Sequence, residues 1–305
     1  MPIYQVIVLA IVQGLAELLP VSSSAHVVVA EKLMGLDPSS PQMTLLLVML
    51  HTGTMFAVIA YFWKQWVQTY FASADAFKRF LVRVIWATGI TLALGYALME
   101  VIEHTLFKGA PKAQIEDLFG RLDLVAPALA CAGILILIAG LREKKADSAA
   151  VKEAAATSLT RRPGGNVTMR QAGWMGLLQG LALPFRGFSR SGATISAGML
   201  TGATKERAER FSFALAVVIT PLAIGREAMR LVHAARDAAA SGTPVDLHGT
   251  VVVSLLGAAF AFLAGLVALK WLSNWLENGR WYLFGIYCLV ASAVVWYLHF
   301  GSRHL

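Results

Sequence analysis

Gln13-Gly14-Leu15-Ala16-Glu17-Leu18-Leu19-Pro20-Val21-Ser22-Ser23-Ser24-Ala25-His26 decides how the chain is read. It lies inside an otherwise apolar segment, residues 3–34, which is too long for one membrane crossing. A proline, a row of hydroxyls, a carboxylate and an imidazole interrupt that segment. Backbone groups freed by such a break cannot face lipid and must find protein or water. Two short half-helices meeting at a polar tip, a re-entrant hairpin, satisfy this requirement.

The same pattern returns in the second half of the chain. Segment 172–203 is broken at Pro184-Phe185-Arg186-Gly187-Phe188-Ser189-Arg190-Ser191-Gly192. Gln179-Gly180-Leu181-Ala182 precedes this break, as Gln13-Gly14-Leu15-Ala16 precedes the first. Interrupted segments in corresponding places mark an internal repeat with a site at its interface.

Six further apolar segments are read at 42–63, 82–102, 124–141, 211–232, 249–270 and 281–300. Pro41 to Trp63, Leu124 to Leu141 and Thr250 to Leu269 hold no Asp, Glu, Lys or Arg. Runs of about 18 or more such residues are what a helix needs to cross hydrocarbon. Composition agrees: 57% of the residues are hydrophobic and 14% charged, against about 25% charged in soluble domains. The fold class expected is an all-α polytopic membrane protein, an inverted-topology repeat with two re-entrant helical hairpins. The expected division is a first repeat at 1–141, a charged, Ala-rich cytoplasmic linker at 142–170 and a second repeat at 171–305.

The formal net charge is +8, but the basic residues sit in short loops. They read as topogenic charge, and no nucleic-acid partner is expected. Loop 64–83 sets Lys64, Lys78, Arg79 and Arg83 against Asp75, and loop 142–170 is also net basic. Loop 103–123 is net acidic. The basic loops are therefore placed in the cytoplasm, although loop 226–248, placed outside, carries Arg226, Arg230 and Arg236. By this parity the first hairpin enters from outside and the second from the cytoplasm. Met1 to Gln5 has no Lys or Arg, so no cleavable signal peptide is expected. Cys131 and Cys288 read as small core residues rather than a disulfide or a metal pair.

The two tips carry the candidate chemistry. Gln13 and Glu17 share a helix face, and an ionisable group at membrane depth is costly and usually functional. Ser23 and His26 add a hydroxyl and an imidazole. Arg190 needs an anion, either Glu17 or a phosphate that it can grip bidentately. Ser189, Ser191, Thr194 and a helix start complete an anion cradle, and Gly187 allows close backbone approach. Arg186 reads equally as a second phosphate contact or as a residue facing a polar cavity. Gln13 and Glu17 offer hard oxygens to a divalent cation, Mg²⁺ or Ca²⁺. The set suits phosphoryl transfer to water. A transporter or flippase for a phosphorylated polyprenyl lipid or another anion is the rival reading, since broken helices also suit transport.

Other residues read blandly. His51 is expected to be a hydrogen-bonded packing residue, Glu100 and Glu103 to face water, and Lys205 to Arg210 to form a solvated turn. Trp63, Trp66, Trp271, Trp275 and Trp281 are expected to be interfacial anchors.

The first break resembles the opening signature of the undecaprenyl-diphosphate phosphatases of the BacA/UppP family, with its (E/Q)-x-x-x-E motif at Gln13 and Glu17. Gly187-Phe188-Ser189-Arg190-Ser191-Gly192-Ala193-Thr194 resembles the second signature, P-G-x-S-R-S-x-x-T. Thr52-Gly53-Thr54 and Phe211-Ser212-Phe213 also resemble family stretches. The resemblance implies hydrolysis of undecaprenyl diphosphate to the monophosphate, with a divalent cation, at a site open to the periplasm of the bacterial inner membrane. It also implies carrier recycling for peptidoglycan synthesis and a link to bacitracin resistance. Glu17, Ser23, His26, Ser189, Arg190 and Thr194 are the site residues by motif position. Ser23 is taken as nucleophile with His26 as acid/base and Glu17 orienting it or binding metal; His26 as nucleophile is the rival. The polyprenyl lipid and the bilayer are the expected partners, with a homodimer as one assembly. One departure stands out: Arg186 occupies the position of the family's Pro, and Pro184 lies upstream in a tip one residue longer.

Overall fold

The computed structural model describes residues 1–38, 40–106, 118, 121–154, 166–240, 246–276 and 280–301. Much of the charge counted in the loops lies outside them, including Lys108, Lys112, Glu116, Asp117, Arg161 and Arg162. The described residues form helices and no strands.

Segment 3–34 becomes two helices, α1 (Ile3–Leu18) and α2 (Ser23–Leu33). Leu19 turns extended, with φ −82° and ψ 145°, because Pro20 disfavours helix in the residue before it. Ser22 then takes the left-handed conformation, φ 65°, and α2 starts from it. At the far end Gly35, φ 72°, closes α2, and Leu36 N–H bonds back to Glu31 O at 2.9 Å, a Schellman-type stop.

Segment 172–203 repeats the construction as α6 (Met169–Ala182) and α7 (Arg190–Leu200). Thr168 and Gln171 form a capping box at the start of α6. Ser189, φ 41°, is left-handed like Ser22, and its hydroxyl accepts from Gly192 N. These four helices have 16, 11, 14 and 11 residues, all shorter than the ~20 that cross a bilayer.

Among the described residues six helices are long and apolar enough to cross: α3 (Pro41–Tyr70), α4 (Ala74–Leu106), α5 (Leu122–Ala154), α8 (Lys205–Ala240), α9 (Leu247–Leu276) and α10 (Trp281–Gly301). They match the six uninterrupted apolar segments. α5 runs on as helix to Ala154 through the first part of the expected linker, and residues 155–165 lie outside the described residues.

α1 packs on α9 and α3, α6 packs on α4, α5 packs on α10, and α3 crosses α8 and α9. Small residues let these backbones approach. A Cβ at Gly53 would collide with Ala258 O, and one at Gly176 with Ala87 O. The outward faces keep large apolar side chains such as Ile85, Tyr96, Leu263 and Tyr297 exposed, which suits a lipid solvent and not water.

Several bland readings change in three dimensions. Trp66 and Trp281 are core residues, 6% and 1% exposed, and not interfacial anchors. Trp281 Nε1–H donates to Ser196 Oγ at 3.2 Å. Trp63 is 57% exposed, as an anchor would be; the side chains of Trp271 and Trp275 are outside the described residues. Lys205 to Arg210 is not a solvated turn. It opens α8, with Lys205 buried over the Trp281 ring and Arg210 donating to Thr69 Oγ1 at 3.1 Å. Glu100 and Glu103 are exposed as expected. Cys288 is buried, but Cys131 faces outward and is not core.

Candidate active site

The carboxylate of Glu17 is the centre of the polar cluster. It sits in the last turn of α1, 4% exposed, where the backbone break leaves room for partners from elsewhere. Four side chains converge on it. Gln13 Nε2–H donates to Oε2 at 2.8 Å from the preceding turn. Ser23 Oγ–H donates to Oε2 at 2.5 Å from the first turn of α2. Arg190 Nη2–H donates to Oε1 at 2.5 Å from the first turn of α7. His51 Nε2, on α3, lies 3.3 Å from Oε2.

The Arg190–Glu17 contact joins the two tips, 173 residues apart in sequence. Gly192 permits it, because a Cβ there would lie 3.0 Å from Pro20 O and 2.7 Å from Ser189 Oγ. The tips thus touch through backbone as well as through charge. A charge pair this buried is held by its geometry; removing one partner leaves an uncompensated charge.

Two polar atoms in the cluster have no hydrogen-bond partner although buried: Arg190 Nη1 and Gln13 Oε1. Buried groups are nearly always paired, so these two atoms are where a ligand gains most. Arg190 Nη1 is a donor and calls for an anion. Gln13 Oε1 is an acceptor and calls for a cation or a hydroxyl.

The remaining predicted residues divide. Ser189 is 4% and Ser191 7% exposed; both lie at the start of α7, where orphan N–H groups gather. Thr194 is fully buried. Its hydroxyl lies 2.9 Å from Arg190 O and 2.6 Å from Ser212 Oγ, tying α7 to α8. Gly187, φ +103°, packs where a Cβ would meet Val125 O at 2.5 Å, so it seats the tip on α5. Arg186 acts on the charge of Glu31, a carboxylate 1% exposed on α2. His26 does not reach Ser23. Its Nδ1 is 2.8 Å from Ser22 O and its Nε2 2.6 Å from Tyr287 Oη.

Two residues of the cluster were not expected there. His51 does hydrogen-bond within its helix, Nδ1 to Leu47 O at 2.8 Å, but its other nitrogen faces Glu17. An ionisable group in an apolar span was the available signal. Tyr287 left none, since an aromatic in an apolar helix reads as core. An apolar cleft of about 650 Å³ between α3 and α9, lined by Gly53, Phe56, Phe262 and Leu263 among others, holds none of these polar residues.

Comparison with known proteins agrees with the geometry. The family model described as bacitracin resistance protein BacA matches residues 6–294. An undecaprenyl-diphosphatase 2 of Acinetobacter baylyi is 52% identical over 295 residues, 97% of each chain. An undecaprenyl-diphosphatase 2 of Burkholderia thailandensis is 33% identical, over 96% of this chain and 95% of its own. An undecaprenyl-diphosphatase of Desulfosudis oleivorans is 32% identical over 98% of both. With matched helices, both signatures and a family match across nearly its whole length, the chain belongs to the BacA family.

Proposed function

We propose that this protein hydrolyses undecaprenyl diphosphate to undecaprenyl phosphate and inorganic phosphate within the membrane. The observation that carries the reading is the meeting of Glu17, Ser23 and Arg190 around a buried guanidinium nitrogen that lacks a partner. The relatives' names supply the substrate.

Ser23 Oγ is the nucleophile, and Glu17 is its base. The hydroxyl already donates to Oε2, so its proton passes to Glu17 as Oγ bonds to the terminal phosphorus. The bond from that phosphorus to the bridging oxygen breaks, and undecaprenyl phosphate leaves. Arg190 and the N–H groups at the start of α7 bind the charge that spreads over the phosphoryl oxygens. Water then displaces Ser23 Oγ from phosphorus, Oγ recovers its proton, and phosphate is released. His26, hydrogen-bonded away from Ser23, is the base for the water and not for the serine.

A divalent cation fits this donor set only in part. Among the described residues no three His, Cys, Asp or Glu side chains cluster to hold one. Gln13 Oε1 and Glu17 supply two hard oxygens, and the diphosphate and water would supply the rest, as Mg²⁺ prefers. Bound there, the ion would neutralise phosphate charge.

The two broken segments are re-entrant hairpins of an inverted repeat, 1–141 and 171–305 about a linker at 142–170. The left-handed serines before α2 and α7 support this, as does the pairing of α1 with α9 and of α6 with α4. The site opens to the periplasmic side of the inner membrane, and its product is recycled as the lipid carrier for cell-wall synthesis; the same chemistry underlies bacitracin resistance. The test is phosphate release from undecaprenyl diphosphate by purified protein, with and without EDTA, for wild type, Arg190→Ala and Ser23→Ala. Cation-dependent release lost in both variants is expected. Lipid binding without release by folded wild type would overturn the reading in favour of lipid transport.

A further inference from the structure

The hydrogen bonds of His26 fix where its protons lie. Ser22 O can only accept, so the ring hydrogen sits on Nδ1, 2.8 Å away. In the neutral ring Nε2 then offers a single lone pair. That lone pair meets the hydroxyl of Tyr287 at 2.6 Å, so Tyr287 donates to it. A phenol oxygen also accepts. When Nε2 is protonated, the same contact survives with its direction reversed. The pair can therefore take up and return a proton without breaking its hydrogen bond.

The rings lie nearly parallel, 10° apart in plane with centroids at 5.7 Å. The tyrosine cannot drift. Its neighbour Cys288 is buried with Sγ 3.5 Å from Pro20 O, at the first tip itself. Ser292 Oγ–H donates to Ala126 O at 2.7 Å, and Gly285 sits so close to α5 that a Cβ there would lie 2.6 Å from Leu137 N. α10 is thus seated against both α5 and the polar tip. Tyr287 is 46% exposed where Glu17 is 4% exposed, so the pair lies at the edge of the buried cluster.

We propose that Tyr287 is a catalytic proton-relay residue of the hydrolysis, working together with His26. With Nδ1 bonded to Ser22 O, Nε2 is the nitrogen left to accept, and Tyr287 is the group through which a proton reaches it. In the step that consumes water, the phenol oxygen takes a proton from the water as its own hydrogen passes to Nε2. The water oxygen bonds to phosphorus as the bond from phosphorus to Ser23 Oγ breaks, Oγ takes its proton back from Glu17, the ring becomes imidazolium, and the phenol is restored. The proton leaves by the same route when phosphate is released.

The inference rests on the reading of His26 as the base for water, and the test separates the two. Phosphate release is measured for wild type, Tyr287→Phe, His26→Ala and the double variant, with thermal stability in detergent as the control for folding. Tyr287→Phe is expected to lower kcat about tenfold with KM within about twofold, and to add nothing to His26→Ala. The ¹⁵N resonances of His26, assigned by their loss in His26→Ala, are expected to show the Nδ1-protonated tautomer in wild type. The same tautomer, fixed by Ser22 O, is expected in Tyr287→Phe, with the Nε2 resonance shifted by the loss of its phenol donor. Wild-type activity in His26→Ala would overturn the reading of His26. An impaired His26→Ala with either wild-type kcat in Tyr287→Phe or fully additive losses would overturn the role of Tyr287 alone. If Tyr287→Phe does not fold, Tyr287→Trp, which keeps a ring and an N–H donor, replaces it: an Nε2 resonance and kcat unlike wild type are expected, and wild-type values of both would overturn the role.

Discussion

The two tips share a backbone and differ in their load. Each follows a Gln-Gly-Leu-Ala helix end, turns through a left-handed serine and starts an 11-residue helix. At the second tip the serine hydroxyl caps its own helix through Gly192 N, and Thr194 bonds α7 to α8. At the first tip Ser22 makes no side-chain cap, and Ser23 spends its hydroxyl on Glu17 instead. One tip is built to stay still and hold out an arginine. The other gives up local stabilisation to assemble a carboxylate, a hydroxyl and an imidazole. Under the proposed function, the two similarly built tips divide into a clamp and a reactive half.

Removing the clamp is the severest way to break this comparison. Arg190→Ala should cost at least about 10³ in kcat, and it should also destabilise the fold by about 3–5 kcal/mol, because buried Glu17 loses its permanently charged partner. Phosphate release and a denaturation curve in detergent read the two effects, and a loss of stability without loss of activity would end the clamp reading. Ser23→Ala strikes the reactive half alone: activity should fall by about 10³ or more with substrate KM little changed. Wild-type turnover would return the nucleophile to His26.

Smaller effects sharpen the picture. Gly192→Ala adds a Cβ 3.0 Å from Pro20 O and should push the tips apart, lowering kcat about tenfold or more through misplacement of Arg190. Thr194→Val removes a hydroxyl from the anchored side. It should cost about 1–3 kcal/mol by leaving Ser212 unpaired, with kcat of the folded protein near wild type. If Thr194→Val instead abolishes turnover at full stability, Thr194 belongs to the phosphate cradle after all.

Much of this was legible in the chain. Pro20 and Pro184 in apolar runs announced both breaks, since a proline and its neighbours cannot continue a lipid-facing helix. Glu17 and Arg190 stood out because charge inside a membrane needs a reason. His51 was underweighted, as a single imidazole on an apolar helix has no visible partner in one dimension. Trp66 and Trp281 misled for a related reason. Span ends suggest interfaces, but these ends are covered by other helices, as the Trp281 contacts with Ser196 and Lys205 show.

By itself, the sequence determined the solvent of this protein, its six uninterrupted spans and the two polar breaks. Hydrophobic run length and helix-breaking residues act locally, so they are readable along the chain. Only the tertiary structure decided which groups share the carboxylate of Glu17. It set Arg190 and His51 on it, drew Thr194 off to Ser212, and gave His26 to Tyr287, 261 residues away. A hydrogen bond depends on angstrom distances between elements remote in sequence, and helix packing sets those distances.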